Sequence, residues 1–131
     1  MCIRDRAFIE IKNEKILVTK SFGKEKYYIP GGKRELNESD EETLVREVKE
    51  ELNVKIDPFT IEYFGTFVAQ ADGKKEGIDV RMTCYTANYI EKLEASNEIE
   101  VVDWFEYKDI NLVAEVDKKI FNYLRANGKL N

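Results

Sequence analysis

The stretch Gly32–Val54, GKRELNESDEETLVREVKEELNV, constrains this chain more than any other. Ser39, followed three residues later by Glu42, has the form of a capping box and predicts a helix starting at about Asp40. At about 100° per residue, Leu44, Val45, Val48 and Leu52 fall on one stripe, the face for a core. Glu47, Glu50 and Glu51 gather on a second stripe, roughly 120° round from the first, with Thr43 at its start. Glu42, Arg46 and Lys49 take the remaining side.

That gathering is costly. Like charges three and four positions apart destabilise a helix by a few tenths of a kcal/mol per pair, and Glu47–Glu50 and Glu47–Glu51 are both such pairs. Taken alone the stripe still fits a solvated face better than a metal site. What the repulsion would accommodate is a hard divalent cation on oxygen ligands, such as Mg²⁺ with phosphate oxygens completing its shell.

The spacing around the stripe shifts the argument. Gly32, Glu38 and the run Arg46-Glu47-Val48-Lys49-Glu50-Glu51-Leu52-Asn53-Val54 together resemble the Nudix box, G-x5-E-x7-R-E-U-x-E-E-x-G-U with U aliphatic. Every specified position matches except the last glycine, which is Asn53 here. Upstream, Tyr27-Tyr28-Ile29-Pro30-Gly31-Gly32 is similar to the aromatic-x-aliphatic-Pro-Gly-Gly approach of that family. Asn53 falls just past the helix end, where a left-handed residue is usual, and asparagine tolerates that conformation nearly as well as glycine. Asn37 stands where many family members have glycine, and the same reasoning applies. Neither change implies lost activity.

Composition bounds the rest. At 131 residues the chain reads as one domain, 1–131, with little room for a second. A net charge of −5 argues against non-specific nucleic-acid binding. No apolar run is long enough to span a membrane and no signal peptide is visible. Cys2 and Cys84 lack metal-motif spacing and read as free thiols of a reducing cytoplasm. There is no histidine, which removes Ser-His and Cys-His catalysis and leaves carboxylates as the general bases.

Met1–Arg6 shows no strand or helix period and is taken as a non-native or disordered leader. Strands are predicted over Ala7–Ile11 and Lys15–Lys20 as a hairpin about Lys12-Asn13-Glu14, with a short strand at Tyr27–Ile29. After the helix come an extended Val54–Ile56, strands over Thr60–Ala71, Ile78–Tyr89 and Val101–Glu106, and a second helix over Val113–Leu124. Pattern alone gives an α+β domain. The resemblance implies more: a Nudix fold, an α/β/α sandwich with a mixed β-sheet.

The resemblance also implies a chemistry and its residues. Carried over by position, Glu47, Glu50 and Glu51 are the metal ligands, with a backbone carbonyl near Gly31 or Gly32 as a further one. Glu47, Glu50, Arg46 and Glu98 form the catalytic set. The general base is left open among the acids, and Arg46 orients the glutamates. Glu38 supports the loop or the arginine, and Glu98 precedes Trp104 at a spacing some members use for a ligand or base. Lys33, Arg34 and Tyr28 are candidates for substrate contact, while Phe64, Phe67 and Trp104 read as core. The implied cofactor is Mg²⁺, with Mn²⁺ as substitute. The implied reaction is hydrolysis of a nucleoside triphosphate, including an oxidised one such as 8-oxo-dGTP, to monophosphate and pyrophosphate. A nucleoside diphosphate-X substrate (ADP-ribose or a nucleotide sugar) is second. A non-catalytic nucleotide sensor on the same fold is the alternative of another class, against which the intact acidic cluster argues. The expected partner is a small nucleotide, with no nucleic acid and no membrane, and the chain is expected as a monomer or homodimer.

Overall fold

A computed structural model describes residues 1–131. In chain order the elements are β1 (Cys2–Phe8), β2 (Ile11–Lys12), β3 (Lys15–Ser21), β4 (Gly31–Lys33), α1 (Asp40–Leu52), β5 (Glu62–Gln70), β6 (Asp79–Thr86), β7 (Ile99–Phe105) and α2 (Glu115–Ala126). Two 3₁₀ turns, Pro58–Thr60 and Tyr107–Leu112, lie between them. The strands form a four-stranded sheet in the order β4-β1-β6-β5 and a three-stranded sheet in the order β2-β3-β7. β1 runs parallel to β6 and antiparallel to β4, so the first sheet is mixed. No helix is long and apolar enough to cross a membrane.

Alternation along the strands sorts the core into two layers, because successive side chains point to opposite faces. Phe8 and Leu17 turn towards α1 and pack with Leu44, Val48, Leu52, Val54 and Ile56. Their neighbours Ala7, Ile16 and Val18 turn the other way and pack with Val116, Ile120, Phe121 and Leu124 of α2. One helix therefore covers each face, which is the α/β/α arrangement of a Nudix domain.

Several expected boundaries are corrected. The first strand begins at Cys2, not Ala7, and ends at Phe8. Residues 2–6 are ordered by pairing on both sides, Cys2↔Asp79 through Phe8↔Tyr85 with β6 and Asp5↔Lys33 through Ala7↔Gly31 with β4. Paired backbone groups are satisfied whatever the side chains are, so the missing period concealed a strand. The hairpin about Asn13 and Glu14 exists, both residues having positive φ, but only Ile11–Lys12 pairs with β3. At Ile9–Glu10 the chain passes from one sheet to the other. Tyr27–Ile29 is not a strand: Tyr28 forms one bridge to Thr19 and Tyr27 one to Val113. Val113 thus lies outside α2, and the strand missed in the glycine segment is β4.

Candidate active site

α1 is fixed at both ends. Ser39 Oγ accepts the Glu42 N–H at 3.1 Å and Glu42 Oε1 accepts the Ser39 N–H at 2.8 Å, closing the capping box. Asn53 ends the helix in the left-handed region at φ 56°, and Asn37 takes φ 68° in the loop before it. The last carbonyls of a helix need donors from elsewhere. A distant loop supplies them: Ser96 N–H donates to the Glu51 carbonyl at 3.1 Å and Glu94 N–H to that of Leu52 at 3.0 Å. The Asn97 side-chain amide donates to the Glu50 carbonyl at 2.7 Å. This loop carries Glu98 to the acidic face of α1, where its charge acts on Glu47 and Glu51.

The segment Tyr28–Gly32 faces the same stripe. A Cβ on Gly31 would stand 1.9 Å from the Arg6 carbonyl oxygen, and its φ of +145° also demands glycine. A Cβ on Gly32 would stand 2.5 Å from Glu47 Oε2, so only glycine lets that carboxylate close on the turn. Gly31 N–H donates to Glu51 Oε1 at 3.2 Å.

Arg46 organises the acids. Its Nε donates to Glu38 Oε2 at 2.6 Å and its Nη2 to Glu38 Oε1 at 2.9 Å, a two-pronged contact. Nη1 donates to Glu47 Oε1 at 2.7 Å, and Nη2 also donates to the Lys33 carbonyl at 3.0 Å. Glu50 Oε2 lies 3.5 Å from Nη1. Hydrogen bonds from Arg46 bring Glu38 down to about 2, so it is ionised in any working solution. Burial raises Glu47 above the usual carboxylate range despite Arg46. Glu51 is 8% exposed, and burial pushes it up to about 8, with Glu47, Glu98 and Glu50 adding to the shift.

A groove adjoins this cluster. One cavity of about 150 Å³ is lined by Gly31, Gly32, Glu51 and Tyr28 among others. A second, of about 190 Å³ and mostly apolar, shares Asp5, Tyr28 and Met82 with it and is bordered by Lys33, Asp72 and Val116. Tyr28 Oη donates to Asp72 Oδ2 at 2.9 Å, and Lys26 Nζ donates to Asp72 Oδ1 at 2.8 Å. Of the expected substrate residues, Tyr28 and Lys33 line the groove, whereas Arg34 is exposed and lines neither cavity. Lys20 is taken by Glu100. Phe64 and Phe67 pack edge-on against Tyr123 of α2, as core aromatics do.

The donor set fits a hard divalent cation. Glu47, Glu50, Glu51 and Glu98 would all offer carboxylate oxygens, and Arg46 spends its strongest contacts on Glu38 and Glu47. Glu51 has only the Gly31 amide. No three acidic side chains stand close enough to enclose an ion unaided. Mg²⁺ takes only a few carboxylates and keeps waters or phosphate oxygens in the remaining positions.

Two elements of the site were missed in the sequence. One is the 94–97 loop, a cap whose donors come from more than forty positions away and leave no local signature. The other is Asp117, fully buried on α2, which accepts the Ile29 N–H at 3.3 Å. A signal for it existed: an aspartate falls on the apolar stripe of Val113, Val116, Ile120 and Leu124.

A mixed sheet and an antiparallel one between two helices, with an acidic helix closing on a double-glycine turn, define a class of α+β domain. The NUDIX domain family model matches residues 3–125, and the chain belongs to that family. Among solved structures it is similar to the ORF135 protein of E. coli, with 24% identity, 96% of this chain and 92% of that one covered, and a TM-score of 0.72. It is also similar to a MutT protein from Bacillus halodurans, with 25% identity, 91% and 79% covered, and a TM-score of 0.68. A UDP-X diphosphatase shares the fold at 16% identity, with 98% and 64% covered and a TM-score of 0.71. No curated protein sequence matches the chain. Nudix hydrolases act on pyrophosphate bonds of small nucleotides and generally use divalent metals.

Proposed function

We propose that this Nudix hydrolase cleaves a nucleoside triphosphate to the monophosphate and pyrophosphate with Mg²⁺ bound at α1. The observation that supports it most is the arrangement of Glu47, Glu50, Glu51 and Glu98 about Gly31–Gly32, ordered by Arg46, at the mouth of a groove with an apolar end. Glu50 and Glu51 would hold the cation, with Glu47 and the Gly32 carbonyl beside them. The cation would offset the charge on the phosphates and on the departing group. The residues of the chain do the rest. Arg46 fixes the orientation of the Glu47 carboxylate, Gly32 lets it approach the turn, and the 94–97 loop sets Glu98 opposite. Either Glu47 or Glu98 takes the proton of the attacking water. Lys33 and Tyr28 border the path from cluster to apolar cavity, placing the phosphates at the first and the base in the second.

A nucleotide panel assayed with Mg²⁺ tests this, reading phosphate and pyrophosphate separately. The expected result is monophosphate plus pyrophosphate, abolished by excess EDTA while circular dichroism shows an intact fold. Activity that persists in EDTA, or orthophosphate as the main product, overturns it. Turnover confined to nucleotide sugars or ADP-ribose would keep the metal site and change the substrate.

A further inference from the structure

We propose that Asp117 is a positioning residue for the metal site, gripping the Gly31–Gly32 turn from α2 while Glu51 grips it from α1. The segment Ile29-Pro30-Gly31 has only two backbone donors, because Pro30 has no N–H. Ile29 N–H donates to Asp117 Oδ2 at 3.3 Å and Gly31 N–H to Glu51 Oε1 at 3.2 Å. Both donors are therefore spent on helix carboxyls, one from each layer of the sandwich. Neighbouring groups are tied to strands: the Pro30 carbonyl accepts Phe8 N–H at 2.9 Å, and Tyr28 exchanges backbone bonds with Thr19 at 2.8 Å. Ile29 is 3% exposed and Asp117 is fully buried, so neither group has water as a substitute partner. Removing the acceptor would orphan a buried amide two residues from Gly31, and such an amide moves or drags the chain until it finds a partner. The turn against which Glu47 and Glu51 are seated would then keep its pairing with β1 and its bond to Glu51 but lose its tie to α2.

Asp117 serves as an acceptor through Oδ2, and its other oxygen has no partner. Burial raises its carboxyl to about 8, towards the neutral form, and Asp117→Asn keeps an acceptor oxygen in nearly the same shape. The inference rests on the reading of α1 as a cation site, and the experiment separates the two. Mn²⁺ affinity is measured by electron paramagnetic resonance on wild type, Asp117→Asn and Asp117→Leu. Amide exchange at Ile29 and Gly31 is measured without metal, and kcat and KM with Mg²⁺ and a nucleotide. Asp117→Leu is expected to weaken Mn²⁺ binding and lower kcat by about 10-fold or more, as loss of a supporting partner does. KM should change little, and both amides should exchange faster. Asp117→Asn should rescue all of these to within about 3-fold of wild type, a margin well inside that same range. If Asp117→Leu does not fold, Asp117→Ser, whose oxygen is too short to reach Ile29, replaces it in the comparison. The inference is overturned if the acceptor-less variant folds with wild-type Mn²⁺ affinity, or if Asp117→Asn is as damaging. It is also overturned if the loss falls on KM with metal affinity intact, which would make Asp117 a substrate contact. Should wild type itself bind no Mn²⁺, the cation reading of α1 falls, and amide exchange still decides whether Asp117 holds Ile29.

Discussion

Two carboxyls, Glu51 on α1 and Asp117 on α2, look alike and are not. Both are buried, both accept an N–H from the Ile29–Gly31 segment, and burial pushes both up to about 8. Their neighbours separate them. Glu51 has Glu47, Glu98 and Glu50 about it, opens onto the cavity beside Gly32, and gains from any cation that arrives. Asp117 takes its one hydrogen bond from Ile29 on the buried face of α2 and lines neither cavity, with Asp5 and Asp72 adding to the effect of its burial. The Cys84 thiol is raised well above the usual range first by its own burial and then by Asp117. A buried acid among like charges at a cleft is suited to a metal. A buried acid shut off from the cleft is suited to one hydrogen bond.

The sharpest way to break this contrast is the same shape-preserving change on each side. Glu51→Gln and Glu50→Gln should each lower kcat by at least ~100-fold and weaken Mn²⁺ binding, because the charge is lost while shape and helix propensity stay. Above about pH 8, where Glu51 would otherwise be ionised, metal-free Glu51→Gln should also melt at or above the wild-type temperature. If Glu51→Gln and Asp117→Asn lowered kcat equally, the two carboxyls would not differ in kind.

A second test uses pH. Each carboxyl is raised in the folded protein relative to its ordinary value, so the folded state holds protons that the unfolded chain has already released. Stability contributed this way is complete below about 4 and is lost as pH rises towards about 8, the direction fixed by proton linkage. Glu38, down to about 2, works in the opposite sense but below this window. The metal-free protein should therefore melt at a lower temperature at about pH 8.5 than at about pH 5. Mg²⁺ added at the higher pH should recover the share due to Glu51 and leave that due to Asp117. Calorimetric scans giving a flat melting temperature over that range would show that neither carboxyl is held neutral.

The smallest effect belongs to the far side of α1. Glu42→Gln removes a charge from the first turn and weakens the bond it accepts from Ser39 without abolishing it, at about 0.3–1 kcal/mol of stability, and turnover should stay within about 2-fold. Comparable losses in rate from Glu42→Gln and Glu50→Gln would make the acidic stripe an ordinary solvated face.

What the sequence determined by itself is α1 and its equipment. Its start at Asp40, its cap, its left-handed end at Asn53 and its acidic stripe all follow from contacts three and four residues apart, which a linear reading sees directly. The family resemblance located Gly31 and Gly32 and left Glu38 to support the loop or Arg46; in the fold it meets both, accepting from Glu35 N–H and from Arg46. Contacts made over longer spans were decided only by the tertiary structure. Whether Glu51 faces solvent or the interior depends on β4, a strand of three residues with no period to detect. β1 shows no alternation because its order comes from the backbones of β4 and β6, not from its own side chains. The donors that cap α1 and bring up Glu98 are set by the path of a loop, and Asp117 meets Ile29 across 88 residues. A hydrogen bond of that span leaves no spacing in the sequence, because closing the fold, not the local turn of the chain, brings its two ends together.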